Sequence, residues 1–224
     1  MNFMSQFAVI GLGSFGGTVA RQLAHLGHDV LGIDVTKKTV EDFADILTCA
    51  VIADASDESV LEELNLQSYD AVVVTIGEDI EASILCVLHL KNIGVKKIWG
   101  AAKTKSHHMI LSHLNVDKII HPEEDMGMRV ANALNYPIVS RYMGLGDNHF
   151  IVKIKVPENL VGLNLAKLKE IEEAINLIVF KRGQNVIKEI TDDIELQLGD
   201  ILVLEGFERD LTKLYDKYIQ HKVK

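Results

Sequence analysis

From Gln6 to about Pro122, short apolar runs alternate with segments whose apolar residues recur at helical spacing. A parallel sheet covered by helices gives this rhythm: strands buried on both faces read as continuous apolar runs, and the crossovers between them read as amphipathic helices. Strands are predicted over Gln6–Ile10, Asp29–Ile33, Ala50–Ala53, Ala71–Thr75, Lys97–Ala101 and Lys118–His121. Helices are predicted over Phe15–Leu26, Lys37–Leu47, Glu58–Leu64, Ile80–Asn92 and Ser106–Leu114. The expected fold class is α/β, a doubly wound parallel sheet whose strand carboxyl ends gather along one edge as a ligand crevice.

After His121 the rhythm changes. Pro122-Glu-Glu-Asp125 reads as a helix opening, because proline is accepted in the first turn and acids favour the positive helix end. A helix from about Asp125 to Leu134 is then stopped by Asn135-Tyr-Pro137. A second short helix is predicted over Ile138–Met143, ending in a linker at Gly144-Leu-Gly146-Asp-Asn. Met126, Met128, Val130, Ala131, Ile138, Val139 and Met143 have little neighbouring sequence to cover them, so this pair is expected to pack on a second subunit. Beyond it, strands are predicted at Phe150–Val156, Leu177–Lys181, Asn185–Ile190 and Ile201–Leu204, with helices at Leu165–Glu173 and Glu208–Tyr218. The expected organisation is therefore 1–122, a crossover segment 123–146, and a small α+β lobe 147–224 that gains stability from dimerisation.

Composition narrows the class. An apolar fraction of 48% over 224 residues suffices for packed cores. No apolar run approaches the roughly 18 residues of a membrane span, and no secretory signal pattern stands at the start, so a cytoplasmic location is expected. Cys49 and Cys86 form no CxxC and are read as packing residues. A net charge of −9 without a basic, aromatic-interleaved stripe argues against nucleic acid as a partner.

The first strand runs into Gly11-Leu-Gly-Ser-Phe-Gly16. Gly11, Gly13 and Gly16 serve a tight turn, close backbone approach to a phosphate, and close packing of helix on strand; the free amides at the helix start, around Ser14 and Phe15, then face an anion. Asp34, ending the second strand about twenty residues on, stands where a ribose diol needs an acceptor. Asp54, with Ala55 beside it, ends the third strand, where its carboxylate can accept from an adenine amine or cap the next helix. Thr75-Ile-Gly77 ends the fourth strand and either lets a ligand lie close or is a plain strand-to-helix turn. Lys103 follows the fifth strand, within reach of a phosphate or in a solvated loop. Glu78, Asp79 and Glu81 read as helix-start acids, and His107, His108, His113 and His121 carry no zinc spacing. GxSxG, CxxC and GxxxxGK[ST] are all missing, and the C-terminal lobe is poor in groups that would serve a hydride transfer, so the chain reads as a non-enzyme. A small NAD(P)-dependent oxidoreductase is the alternative.

Phe7-Ala-Val-Ile-Gly-Leu-Gly-Ser-Phe-Gly16, Asp34, Ala53-Asp54, Val74-Thr-Ile-Gly77 and Ile119-Ile-His-Pro-Glu-Glu-Asp-Met-Gly127 resemble the cytosolic regulators of K+ conductance, the KtrA/TrkA type of bacterial potassium uptake systems. The resemblance covers nearly the whole chain. It implies a Rossmann-like lobe binding ATP, ADP or NAD(H), a swapped crossover helix, homodimers assembled into an octameric ring beneath a membrane potassium channel or transporter subunit, and cyclic di-AMP as a C-terminal ligand in some relatives. On this chain it places phosphates at Gly11, Gly13 and Gly16, the ribose at Asp34, adenine near Asp54 and Ala55, and a divalent cation such as Mg²⁺ or Ca²⁺ at Glu123, which by itself also reads as a helix-start acid. Ser14 and Ala101 stand where many relatives carry basic residues, and Lys103 is the candidate substitute. The segment from Lys167 to Ile190 lacks the proline and arginine pattern associated with cyclic di-AMP.

Overall fold

The computed structural model describes residues 4–135, 139–167 and 174–218. The chain divides into two compact units, Met1–Asp125 and Met126–Lys224. In the first, β1 (Gln6–Ile10), α1 (Ser14–His25), β2 (Asp29–Asp34), α2 (Lys37–Glu41), β3 (Cys49–Ile52), α3 (Glu58–Glu63), β4 (Ala71–Val74), α4 (Ile80–Asn92), β5 (Ile98–Ala101), α5 (Lys105–His113) and β6 (Lys118–Ile120) alternate as expected. All neighbouring strands are parallel, in the order β3-β2-β1-β4-β5-β6. The order reverses between β1 and β4, and that reversal opens a crevice at their carboxyl ends.

Both sheet faces are buried, which is why the strands read as unbroken apolar runs. Ala8, Ile10, Val72, Val74 and Ile98 pack with Leu61, Leu90 and Leu111 of α3, α4 and α5. On the opposite face Val9, Val30 and Val73 pack with Leu12, Ala20, Phe43 and Leu47 beneath α1 and the α2 region. Side-chain caps fix three helix starts: Asp57 accepts from the Ser59 amide at 3.0 Å, Asp79 from Ala82 at 2.9 Å and Thr104 from His107 at 3.1 Å. Each cap contributes about 1 kcal/mol. The helix expected over Lys37–Leu47 ends early, at Glu41. Beyond it the amides of Phe43, Ala44 and Ile46 bond three residues back, to Val40, Glu41 and Phe43, and this tighter winding lets Phe43 and Leu47 both reach the core.

A sixth helix, α6 (Pro122–Asn135), begins one residue after His121 and runs from the first unit into the second. In the second unit β7 (Val139–Gly146), β8 (His149–Lys155), β9 (Asn176–Arg182), β10 (Asn185–Ile187) and β11 (Ile201–Phe207) form an antiparallel sheet in the order β10-β9-β11-β8-β7. The last element is α7 (Glu208–Tyr218), whose Leu214 joins Val152, Ile154, Phe180, Leu202 and Leu204 in the core. Asp200, 2% exposed, takes a forked bond from Arg182, Nε to Oδ1 at 3.0 Å and Nη2 to Oδ2 at 2.8 Å, and so anchors the turn before β11.

One element differs in kind from expectation. Val139–Met143, read as the second helix of a crossover pair, is strand, and Ile138 lies outside the described residues. The supposed linker is the hairpin turn that joins β7 to β8. Asp147 and Asn148 both adopt positive φ, at 50° and 58°, the conformation that matches a two-residue turn to the right-handed twist of its strands. Pairing with β8 from Val139 to Gly146 overrides a weak local helical pattern. Among its described residues, the 123–146 segment therefore holds one helix and one strand. Of the helix expected over Leu165–Glu173, residues 165–167 are helical, and 168–173 lie outside the described residues. No described helix is long and apolar enough to cross a membrane.

Candidate functional site

At the end of β1 the chain turns sharply at Gly11, with φ of +91°. A side chain at Gly11 would be strained, and its Cβ would meet the Thr75 carbonyl oxygen at 2.9 Å. At Gly16, one turn into α1, a Cβ would collide with the Gly11 carbonyl oxygen and the Thr75 hydroxyl. The Thr75 hydroxyl itself donates toward the Gly11 and Ile10 carbonyl oxygens, at 2.6 and 3.0 Å. The residue at the end of β4 is thus a clasp on the glycine turn, a role beyond the two foreseen for it. Gly13 is the N-cap of α1 and has no side-chain cap bond; a Cβ there would meet nothing within 4 Å. The first amides of α1, at Ser14, Phe15 and Gly16, have no acceptor within their own helix, and the helix dipole adds roughly half a positive charge there.

Asp34 ends β2 beside this turn. Its Oδ2 accepts from the Leu12 amide and its Oδ1 from the Thr36 amide, both at 2.8 Å. A carboxylate offers about four lone-pair sites, so roughly two remain for a ribose diol. Asp34 therefore braces the glycine turn and still presents acceptors.

Asp54 follows β3 and is exposed. The Ser56 hydroxyl, at 2.6 Å, and the Ser56 amide, at 2.9 Å, hold its carboxyl below the usual carboxylate range and keep it charged. It does not cap α3, since Asp57 does. Ala55 is 3% exposed and its methyl belongs to the core, so it offers a ligand no side-chain surface.

Gly77 stands exposed after Thr75 with open space where a side chain would be. Of the three acids Glu78, Asp79 and Glu81, Asp79 caps α4 and Glu81 lies in its first turn. Glu78 precedes the helix, fully exposed, and pairs with Lys103 Nζ at 3.4 Å. Lys103 is thus shared between the crevice edge and an ion pair that sequence distance hides. Its amide donates to His107 Nδ1 at 3.3 Å, and burial holds that imidazole neutral by pushing its pKa down. His108 and His121 stack, with Nδ1 and Nε2 2.8 Å apart. Cys86 is buried, and desolvation pushes its thiol up; Cys49, expected as packing, is exposed on β3.

Glu123 lies in the first turn of α6 and is exposed. No group of three or more His, Cys, Asp or Glu suited to a metal occurs among the described residues. Gly17 was not singled out by sequence. A Cβ there would press on the Phe43 ring, so the Gly16-Gly17 doublet, not the spaced motif alone, sets how closely α1 lies on its neighbours. The doublet was the available signal.

The TrkA-N domain family matches residues 7–122, the sheet and crevice just described. Ktr system potassium uptake protein C of Bacillus subtilis (strain 168) is 38% identical over 217 residues, covering 96% of this chain and 98% of that protein. Two solved structures superpose over the whole chain at 13% identity: the GsuK RCK domain, with a TM-score of 0.66 and 49% of its length covered, and the GsuK channel bound to NAD, with 0.63 and 41%. This chain spans about half or less of those two structures, and at that identity they speak to the fold. The chain belongs to the TrkA-N domain family and to the family of the Ktr system potassium uptake proteins.

Proposed function

We propose that the chain is a regulatory, non-enzymatic subunit that binds an adenine nucleotide and thereby gates a membrane potassium channel or transporter. The observation that carries this reading is the brace of Asp34 across the glycine turn, bonded at both oxygens to the Leu12 and Thr36 amides, with free helix amides beside it. The full-length likeness to a Ktr potassium uptake protein supports the transport role. Such a subunit would act from the cytoplasmic side, attached through the pore subunit.

Gating requires that nucleotide bind two conformations of an assembly with different affinities. The exposed faces of Met126, Met128, Val130 and Leu134 on α6 are a surface for that assembly, and dimers joined into an octameric ring are the form we assign to it. The purified chain is expected to bind adenine nucleotides without altering them, and loss of its gene is expected to slow potassium uptake. Steady turnover of a nicotinamide cofactor with carbonyl substrates would instead make it an oxidoreductase. Titration with cyclic di-AMP, and its loss on deleting residues after Lys155, would reveal a second ligand in the C-terminal lobe.

Glu123 is the residue we assign to a divalent cation. The chain offers its carboxylate with Glu124 and Asp125 beside it, so the remaining ligands would be phosphate oxygens or come from a second copy. Mg²⁺ or Ca²⁺ is expected to tighten ATP binding in the wild type and much less in Glu123→Gln. Equal enhancement in both proteins leaves Glu123 as a helix-start acid only.

A further inference from the structure

The helices of the first unit that begin on a side-chain cap do not all use the same chemistry. α3 and α4 start on the aspartates Asp57 and Asp79, whereas α5 starts on Thr104, whose hydroxyl oxygen accepts from the His107 amide at 3.1 Å. The His107 side chain reaches back in turn, its Nδ1 accepting from the Lys103 amide at 3.3 Å. Reciprocal caps of this kind ordinarily carry a glutamate or glutamine at the third helical position. Here an imidazole fills it, and the residue is only 1% exposed. The backbone donor fixes the tautomer, because a ring nitrogen that accepts from an amide carries no proton. The hydrogen of the neutral ring therefore stands on Nε2, which is buried with no partner among the described residues.

A proton added to this ring would go to Nδ1. It would turn the acceptor into a donor aimed at the Lys103 N–H, and it would leave a buried positive charge with no acceptor for either ring hydrogen. The charges on the elements packed against α5 are engaged elsewhere. On α4, Glu81 is exposed, His89 lies 3.5 Å from Glu58 and Lys91 lies 3.6 Å from Asp117. On β6, Lys118 lies over the Trp99 ring, on the face of the sheet away from Leu111. On α5 itself Lys105 and His113 are exposed and His108 bonds to His121, while Glu78 holds the Lys103 ammonium. We propose that His107 is a pH-operated latch, which ties the β5–α5 loop to the start of α5 at neutral pH and releases it on mild acidification. The latch stands apart from the nucleotide-binding reading and does not depend on it. Burial pushes the His107 pKa below its ordinary value, so the opened loop takes up a proton before the closed one does. The closed loop is thus fully stable above about pH 6.5, and it loses stability as the pH falls through that value toward the lower pKa of the buried ring.

The test is amide hydrogen exchange of the full chain from about pH 8 to about pH 5, each rate divided by that of an unstructured chain at the same pH. Protection of the Lys103 and His107 amides should hold steady above about pH 7 and fall by up to about tenfold per pH unit below about 6.5. The Ser59 and Ala82 amides, which aspartates cap, should keep their protection over that range, since carboxylates titrate about two units lower than imidazoles. In His107→Asn an amide oxygen that does not titrate takes the place of Nδ1, so the pH dependence should vanish while protection at neutral pH stays within about tenfold of the wild type. His107→Ala should lack the protection at every pH. Equal pH dependence in the wild type and His107→Asn, protection that stays flat to about pH 5 in the wild type, or a fall shared by Ser59 and Ala82 overturns the latch. If His107→Asn does not fold, the Cε1 proton resonance of His107 in the wild type decides. Titration well below about 6.5, in step with the loss of protection, supports the latch, and titration at the ordinary value overturns it.

Discussion

Gly16→Ala is expected to abolish nucleotide binding and to lower the unfolding temperature of the first unit. The added methyl would sit on the Gly11 carbonyl oxygen and the Thr75 hydroxyl, and neither can step aside. Gly11 is fixed by the bond from its own amide to the Ile33 carbonyl at 2.8 Å, and Thr75 by its bonds to Ile10 and Gly11. The strain must therefore be relieved by moving α1 away from β1, which loosens Val9, Leu12 and Ala20 against Phe43. Overpacking of this kind costs about 1 to 3 kcal/mol or more. In a chain of this size each kcal/mol lowers the midpoint by about 2 to 4 °C. Gly13→Ala separates the two effects, because a Cβ there meets nothing and its φ of −61° suits any residue. That variant should unfold like the wild type yet bind more weakly, since the new methyl faces the open side of the helix start. A Gly16→Ala protein with wild-type melting and titration would show that α1 does not lie as closely on the turn as the geometry requires.

The crevice wall was legible because its causes are local. Strands buried on both faces must be apolar throughout, and a strand-turn-helix that passes Gly11 and Gly16 against another backbone must omit their side chains. The helix start at Asp79 could be read from the order of polar and apolar residues, and α4 lies at its expected bounds, Ile80–Asn92. What could not be read depends on pairing across the fold. Asp54-Ala-Ser-Asp57 offers two acids that can each fold back on a serine two residues on, and only the start of α3 decides that Asp57 is the cap. Ala55 sits among polar neighbours yet its methyl completes the core. Lys103 and Glu78 are 25 residues apart and meet because β4 and β5 are adjacent. Val139–Met143 has residues compatible with either period, and the partner strand β8 settles which one it adopts.

Asp34→Ala is expected to weaken nucleotide binding by ten- to hundredfold or more while the sheet persists. A charge-assisted hydrogen bond contributes about 1.5 to 3 kcal/mol, and the ribose diol would take its acceptors from this carboxylate. The same substitution withdraws the partners of the Leu12 and Thr36 amides, so part of the loss would come from a slackened glycine turn. Asp34→Asn divides the two contributions: its amide oxygen can still accept from one of those amides, but it has no charge and its nitrogen cannot accept at all. If the brace dominates, Asn should recover much of the affinity lost in Ala; if the ribose contact dominates, Asn should bind nearly as poorly. The charge has a further consequence for a 2′-phosphate, which the carboxylate repels in the wild type. Removing it should therefore raise the affinity for NADPH relative to NADH even as NADH weakens. An unchanged NADH affinity in Asp34→Ala, with an unchanged ratio to NADPH, would place the ribose elsewhere and leave Asp34 as the brace of a turn whose amides alone hold the ligand.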